Sequence, residues 1–176
     1  MAKHLYILVF ALALFSCNEK KMNQANTNLP YFDIKGYFEK EAVRLQKSNP
    51  AVQKNVSING SSESKTIKIN DWDKELSIFS DADINKTSWK GSFKISKTTD
   101  TESYVSDNRK IPVKSITIVK TDGKISGIEI VRENKNIIYH SSDTLNYYPD
   151  RLYEIRKQQK IKMLKPKKYI ITAKLK

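Results

Sequence analysis

Histidine, the side chain best suited to moving protons near neutral pH, occurs at positions 4 and 140 only, and the single cysteine is Cys17. His140 stands in IIYHSS, where strand alternation points Ile137 and Tyr139 one way and Ile138 and His140 the other. Ser141 and Ser142 follow it, but adjacent strand residues face opposite sides or sit too close to act as nucleophile and base. Two acidic groups could hold a metal or work as paired carboxylates. DADINK sets Asp81, Asp83 and Asn85 as the first half of a calcium loop, yet Lys86 occupies the place of the turn glycine and Ser92 that of the closing bidentate carboxylate. These residues are expected to end a helix and shape a turn, and Asp71, Asp73 and Glu75 to be acids of a helix first turn rather than a glycosidase pair. There is no CxxC, HExxH, GxSxG or glycine-rich phosphate loop, and five glycines leave little backbone to cradle a phosphate. The inventory predicts no catalytic residue, no metal and no cofactor, hence a protein that is not an enzyme. An enzyme would require His140 to converge with a carboxylate in a pocket.

The elements that carry these residues follow from periodicity. Ile34, Tyr37, Phe38, Ala42 and Leu45 recur at helical steps after Asp33, a suitable N-cap, until Ser48, Asn49 and Pro50 stop them. A shorter helix begins at Asn70 or Asp71 and puts Trp72, Leu76 and Phe79 on one stripe. Most of the remaining chain alternates: Trp89, Gly91, Phe93 and Ile95; Tyr153, Ile155, Ile161 and Met163; Tyr169, Ile171, Ala173 and Leu175. Asp122-Gly123 is a strong two-residue hairpin signal and Asn59-Gly60 a weaker one, while Asn134 to Asn136 and the segment around Pro166 read as further turns. The expected fold is α+β and β-rich, a curved antiparallel meander of about eight to ten strands with two helices packed on one face. This element order is similar to that of the half-barrel lipoprotein carriers, a likeness of fold only.

The N-terminus is of another kind. Leu5 to Phe15 is an unbroken apolar run behind Lys3, too short for the ~20 residues that cross a bilayer but within the range of a secretory leader. It ends in Leu14-Phe15-Ser16-Cys17, which resembles the lipobox of bacterial lipoproteins: leucine three before the cysteine and a small residue just before it. Phe15 departs from the small or β-branched residue commonest there. The resemblance implies a thioether-linked diacylglycerol on Cys17, removal of residues 1–16, and attachment to the membrane through N-terminal acyl chains. With Asn18 following, it implies the outer membrane of a Gram-negative envelope. Residues 17–30 would form a polar, Asn-rich tether reaching at most ~45 Å, and residues 31–176 one globular domain.

Charge supplies the last clue. The chain has 32 cations, 19 anions and a net charge of +13, and losing residues 1–16 removes Lys3 and no acid. Residues 101–176 hold 17 cations against eight anions, and nine cations follow Glu154 with no acid among them. Parity places Ile155, Ile161 and Met163 with Tyr153 on the inner face and Arg156, Lys160 and Lys162 on the outer. In the next strand it places Lys168, Lys174 and Lys176 outward. Those six cations are the candidate polyanion-binding residues.

The expected function is a non-enzymatic binding or scaffolding domain anchored in the envelope. Its candidate partners are acidic polysaccharide, lipid headgroups or an acidic envelope protein; nucleic acid is not expected there. The alternative is a carrier of lipid or acylated protein, with Trp72, Phe79, Trp89 and Phe93 lining an apolar cavity.

Overall fold

The computed structural model describes residues 29–176. Cys17, the leader, and the tether up to residue 28 lie outside the described residues.

Helix α1 (Ile34–Ser48) starts at Asp33, whose carboxylate accepts the Gly36 amide at 2.8 Å. A Cβ at position 36 would run into that same carboxylate, so glycine there lets the cap close without displacing the Asp33 side chain. The helix ends where Asn49 turns left-handed at φ 44° and donates its amide to the Leu45 carbonyl. Helix α2 (Trp72–Ser80) is capped by Asp71, which accepts the Lys74 amide, with Asp73 and Glu75 in its first turn at the positive end of the dipole. The apolar stripes bury as the periodicity predicts: Ile34, Phe38, Ala42 and Leu45 from α1, and Trp72, Leu76 and Phe79 from α2.

Nine strands form one open antiparallel sheet: β1 (Ala51–Ile58), β2 (Ser61–Lys68), β3 (Lys94–Lys97), β4 (Thr101–Val105), β5 (Val113–Thr121), β6 (Lys124–Lys135), β7 (Tyr139–Tyr148), β8 (Leu152–Ile161) and β9 (Lys167–Leu175). Strands β3 to β9 meander in sequence, and β1 then joins β9 with β2 outermost. Because β2 and β3 are opposite edges, the segment carrying α2 crosses one face of the sheet. Asp122 and Gly123 both adopt positive φ, 52° and 74°, the conformation a two-residue hairpin needs, and Asn59-Gly60 does the same with 51° and 95°. The polar sequence SSES thus forms a strand through its hairpin partner rather than through alternation.

Directly paired residues of antiparallel strands share a face, so the register lays side chains in rows across the sheet. One row runs Tyr104, Ile116, Ile130, Leu145, Ile155, Ile171 and Val56; the next runs Ile118, Ile128, Tyr147, Tyr153, Ala173 and Lys54. The helices lie on this inner face. Phe38 and Phe79 stack at 4.9 Å, and Phe79 meets Tyr147 and Tyr153 at 5.9 and 6.1 Å between ring centroids. Lys54 and the Tyr153 hydroxyl both reach Glu75, fixing α2 to β1 and β8.

Three local expectations fail. Trp89 belongs to a 3-10 turn (Thr87–Trp89) and Gly91 has φ 77°, so the strand starts only at Lys94. Met163 is in the β8–β9 turn with φ 68°, not on the inner face, because the strand stops at Ile161. Ile137 and Ile138 lie in the β6–β7 turn, both exposed, rather than alternating with Tyr139 and His140. In each case alternation in the sequence runs beyond the bounds of the paired strand, and chain reversal takes over.

The acidic loop after α2 has structural work. The Asp83 carboxylate accepts the Asn85 amide, an Asx turn, and Asn85 in turn accepts the Tyr31 amide and donates to the Phe32 carbonyl. Among the described residues no helix is long and apolar enough to cross a membrane.

Candidate functional site

On the outer face, away from the helices, β7, β8 and β9 present His140 and Ser142, then Gln158 and Lys160, then Lys168. Register brings them together: His140 is paired with Lys160, and Gln158 with both Ser142 and Lys168. Asn59, from the β1–β2 turn, closes one side, its amide donating to the Lys168 carbonyl and its side chain accepting the Lys168 amide, both at 2.9 Å. Pro166 and Lys167 close the top. The result is a cleft of about 410 Å3.

Its electrostatics are one-sided. Lys160, Lys167 and Lys168 are exposed and make no ion pair among the described residues, and no carboxylate lines the cleft. At a mouth this open each ammonium keeps its hydration, so the cleft suits phosphate, sulfate or carboxylate groups held by several long-range attractions rather than by one buried pair. Beside it Glu133, Arg109, Lys114 and Lys135 line a second depression of about 450 Å3, which extends the basic surface across β6.

His140 approaches Glu133 at 2.9 Å, an orienting contact for the imidazole. Glu133 is the register partner of Ser142, so the three polar groups share a face. Ser142 is nevertheless two residues along β7 from His140, about 7 Å, and makes no hydrogen bond to it among the described residues. Among the described residues, Glu133 is the one side chain hydrogen-bonded to His140.

Of the six predicted cations, Lys160 and Lys168 line the cleft. Lys162 sits in the β8–β9 turn above it, its amide donating to the Ile138 carbonyl. Arg156 is on the expected face but is paired with Glu154 at 2.8 Å, which offsets its charge. Lys174 pairs across from Leu152, six residues and about 20 Å down β9 from Lys168, and Lys176 lies beyond it. Parity found the face; it could not find where along the strands the charge concentrates. His140, Lys167 and Asn59 were missed as site residues: His140 because alternation says nothing of cross-strand register, Lys167 because its parity with Tyr169 assigns it to the inner face although it lines the cleft at the strand's end, and Asn59 because it comes from a hairpin distant in sequence.

A second polar group lies on the inner face. Asp143, paired in register with Arg132 on β6 and Lys157 on β8, is 4% exposed, yet its Oδ1 has no hydrogen-bond partner among the described residues. Neither cation comes within ion-pair distance of it among the described residues; Arg132 instead donates to the Ile78 carbonyl at the end of α2. Burial pushes the Asp143 carboxyl above the ordinary aspartate range, and the fields of Lys157 and Arg132 only partly oppose this. The sequence did carry a signal here, since Ser141 and Asp143 are in phase with the buried Leu145 and Tyr147.

The four aromatic residues considered as a cavity lining are packed instead. Trp72 and Phe79 are fully buried and Phe93 nearly so, while Trp89 packs against the same cluster from its margin.

The chain matches no protein family, no curated protein and no solved structure.

Proposed function

We propose that the protein is a lipid-anchored envelope lipoprotein whose domain holds anionic envelope material against the outer face of β7–β9, without catalysing a reaction. The leader, the Leu14-Phe15-Ser16-Cys17 motif and the polar tether support the anchor and, with Asn18, the outer-membrane address. The observation that carries the binding reading is the cleft in which Lys160, Lys167 and Lys168 stand together, with Glu133 behind His140 and no carboxylate among the described residues that line it. Repeated negative groups on a flexible polymer or on a lipid surface fit an open, multiply charged cleft better than a compact substrate does.

The carrier alternative draws no support from the interior, where Phe38, Phe79, Tyr147 and Tyr153 fill the space under the helices. The test is binding of heparin, as a soluble polyanion, by the chain from residue 18, titrated with salt. Binding that weakens steeply as salt rises is expected. Absence of binding at low salt, or indifference to salt, would remove the electrostatic basis of the reading.

A further inference from the structure

Above the cleft, the β6–β7 and β8–β9 turns meet. The Lys162 amide donates to the Ile138 carbonyl at 2.8 Å, and Tyr139 is paired with Ile161 just below. This double turn exposes four large apolar side chains at one extremity of the sheet: Ile137 (91% exposed), Ile138 (61%), Met163 (96%) and Leu164 (60%). Single exposed apolar residues need no explanation, but four gathered on two touching turns do. Around them stand Lys135, Lys160, Lys162, Lys165 and Lys167, all exposed and none in an ion pair among the described residues.

We infer that this tip is a membrane-docking element, which inserts Ile137, Ile138, Met163 and Leu164 into the interfacial layer of an anionic bilayer while the surrounding lysines contact lipid phosphates. The arrangement of apolar residues at the apex and cations in a collar behind them matches the layering of a bilayer surface, where hydrocarbon lies beneath a negatively charged headgroup zone. A second copy of the same chain is a poor occupant, because bringing two such collars together would oppose like charges.

The fold lets the tip reach a membrane. The β3–β4 edge ends at Val105, whose row runs through Ser115 and Val131 to Thr144, while β6 and β7 continue to the Lys135–His140 pair. The tip therefore projects four residues, about 14 Å, beyond that level. The chain enters the domain beside this end of the edge, Tyr31 packing on Phe93 and Tyr104. Residues 17–30 can extend to ~45 Å, enough for an anchor at position 17 and the tip to touch one bilayer together. The inference does not depend on what fills the cleft.

The test uses the chain from residue 18, which keeps every described element and lacks the acyl anchor, and vesicles of three parts phosphatidylethanolamine to one part phosphatidylglycerol. The parent is expected to bind these and to bind pure phosphatidylcholine vesicles at least ten-fold more weakly. Replacing all four apolar residues by serine is expected to lower partitioning about a hundred-fold or more while leaving heparin binding unchanged, since heparin offers no hydrocarbon. An environment-sensitive label at position 163 should shift to the blue on binding, and one at position 122, at the opposite end of the sheet, should not. Equal partitioning by parent and variant, failure of the parent to bind anionic vesicles, or a shift at 163 produced by protein concentration alone would each overturn the inference, the last in favour of self-association. If the serine variant unfolds, the paired labels in the otherwise unaltered chain decide.

Discussion

The Tyr147 hydroxyl on β7 donates to the Glu41 carboxylate on α1 at 2.6 Å, a bond spanning 106 residues of sequence. Glu41 also takes a bidentate contact from Arg44, and Arg44 reaches Asp150 in the β7–β8 turn at 2.7 Å. A chain of four polar groups thus fixes the first helix to the middle of the sheet. Burial, and then the neighbouring Glu41, push the Tyr147 hydroxyl well above the ordinary tyrosine range, so it stays a proton donor at all working pH.

Because Glu41 is largely buried, Tyr147→Phe leaves a desolvated carboxylate short of a donor and is expected to cost about 2 kcal/mol of unfolding free energy. Asp150→Asn, at a side chain 73% exposed, should cost only a few tenths, as exposed pairs do. Urea denaturation of the two variants measures both. Equal losses would mean that the network does not depend on burial.

The acid limb of stability is expected to depend on Glu102. Burial of this carboxylate alone would raise its pKa, but Lys97 at 2.6 Å, the Tyr104 hydroxyl and Lys120 at 3.8 Å together outweigh that and hold it below the usual glutamate range. A depressed folded pKa means that the stabilisation is complete above the unfolded value and is lost as pH falls through the folded one. Glu102→Gln should lower stability near neutrality by about 1 kcal/mol and flatten its fall on acidification, measured as the urea midpoint from pH 7 to pH 3.

Much of this was readable from the chain, and what escaped has identifiable causes. Asp33, Asp71, Asn49 and the Asp122-Gly123 turn act through neighbours three or four residues away, so both helices and the hairpin were legible. The rows of the core were legible on β8 and β9, where Tyr153, Ile155, Ile171 and Ala173 obey period two and pair across the inner face. Trp89, Ile137 and Met163 misled because side-chain alternation does not say where a ladder ends. The cleft was half legible: Lys160 and Lys168 could be assigned to the outer face, but their meeting with His140 and Asn59 is a matter of register among four strands, and no local pattern encodes that.

Asp143 gives a pH dependence of the opposite sign. Its folded pKa is raised above the ordinary 3.8, so the folded protein holds this proton to higher pH than the unfolded chain does. Stability associated with it is therefore present at low pH and declines as pH rises through the folded value. Asp143→Asn removes the ionisable group and keeps the shape. The variant is expected to match or fall below the parent at pH 4 and to exceed it at pH 7. Thermal melts at the two pH values check this, and a variant less stable at both would show that the carboxylate is ionised and paired with Arg132 or Lys157 in solution.

Polyanion binding should distinguish the two ends of the C-terminal hairpin. If affinity came from the total charge of the strands, removing any cations would weaken it alike. If it comes from the cleft, position matters, because at ~8 Å screening length a lysine 20 Å away contributes little to a phosphate held between β7 and β9. Lys160→Gln/Lys167→Gln/Lys168→Gln is therefore expected to weaken heparin binding by about ten-fold or more near 0.15 M salt and to flatten the dependence of affinity on salt. Lys174→Gln/Lys176→Gln, at the far end of β9, should change either quantity less than two-fold at the same salt. All five side chains are exposed, so neither variant should alter the fold, and the comparison reads binding alone. Equal losses per charge removed in the two variants would locate the interaction in net charge rather than in the His140, Lys160 and Lys168 cleft. An undiminished salt slope in the first would mean that the ligand is held by other cations, of which Lys135, Lys114 and Arg109 along β6 are the next to test.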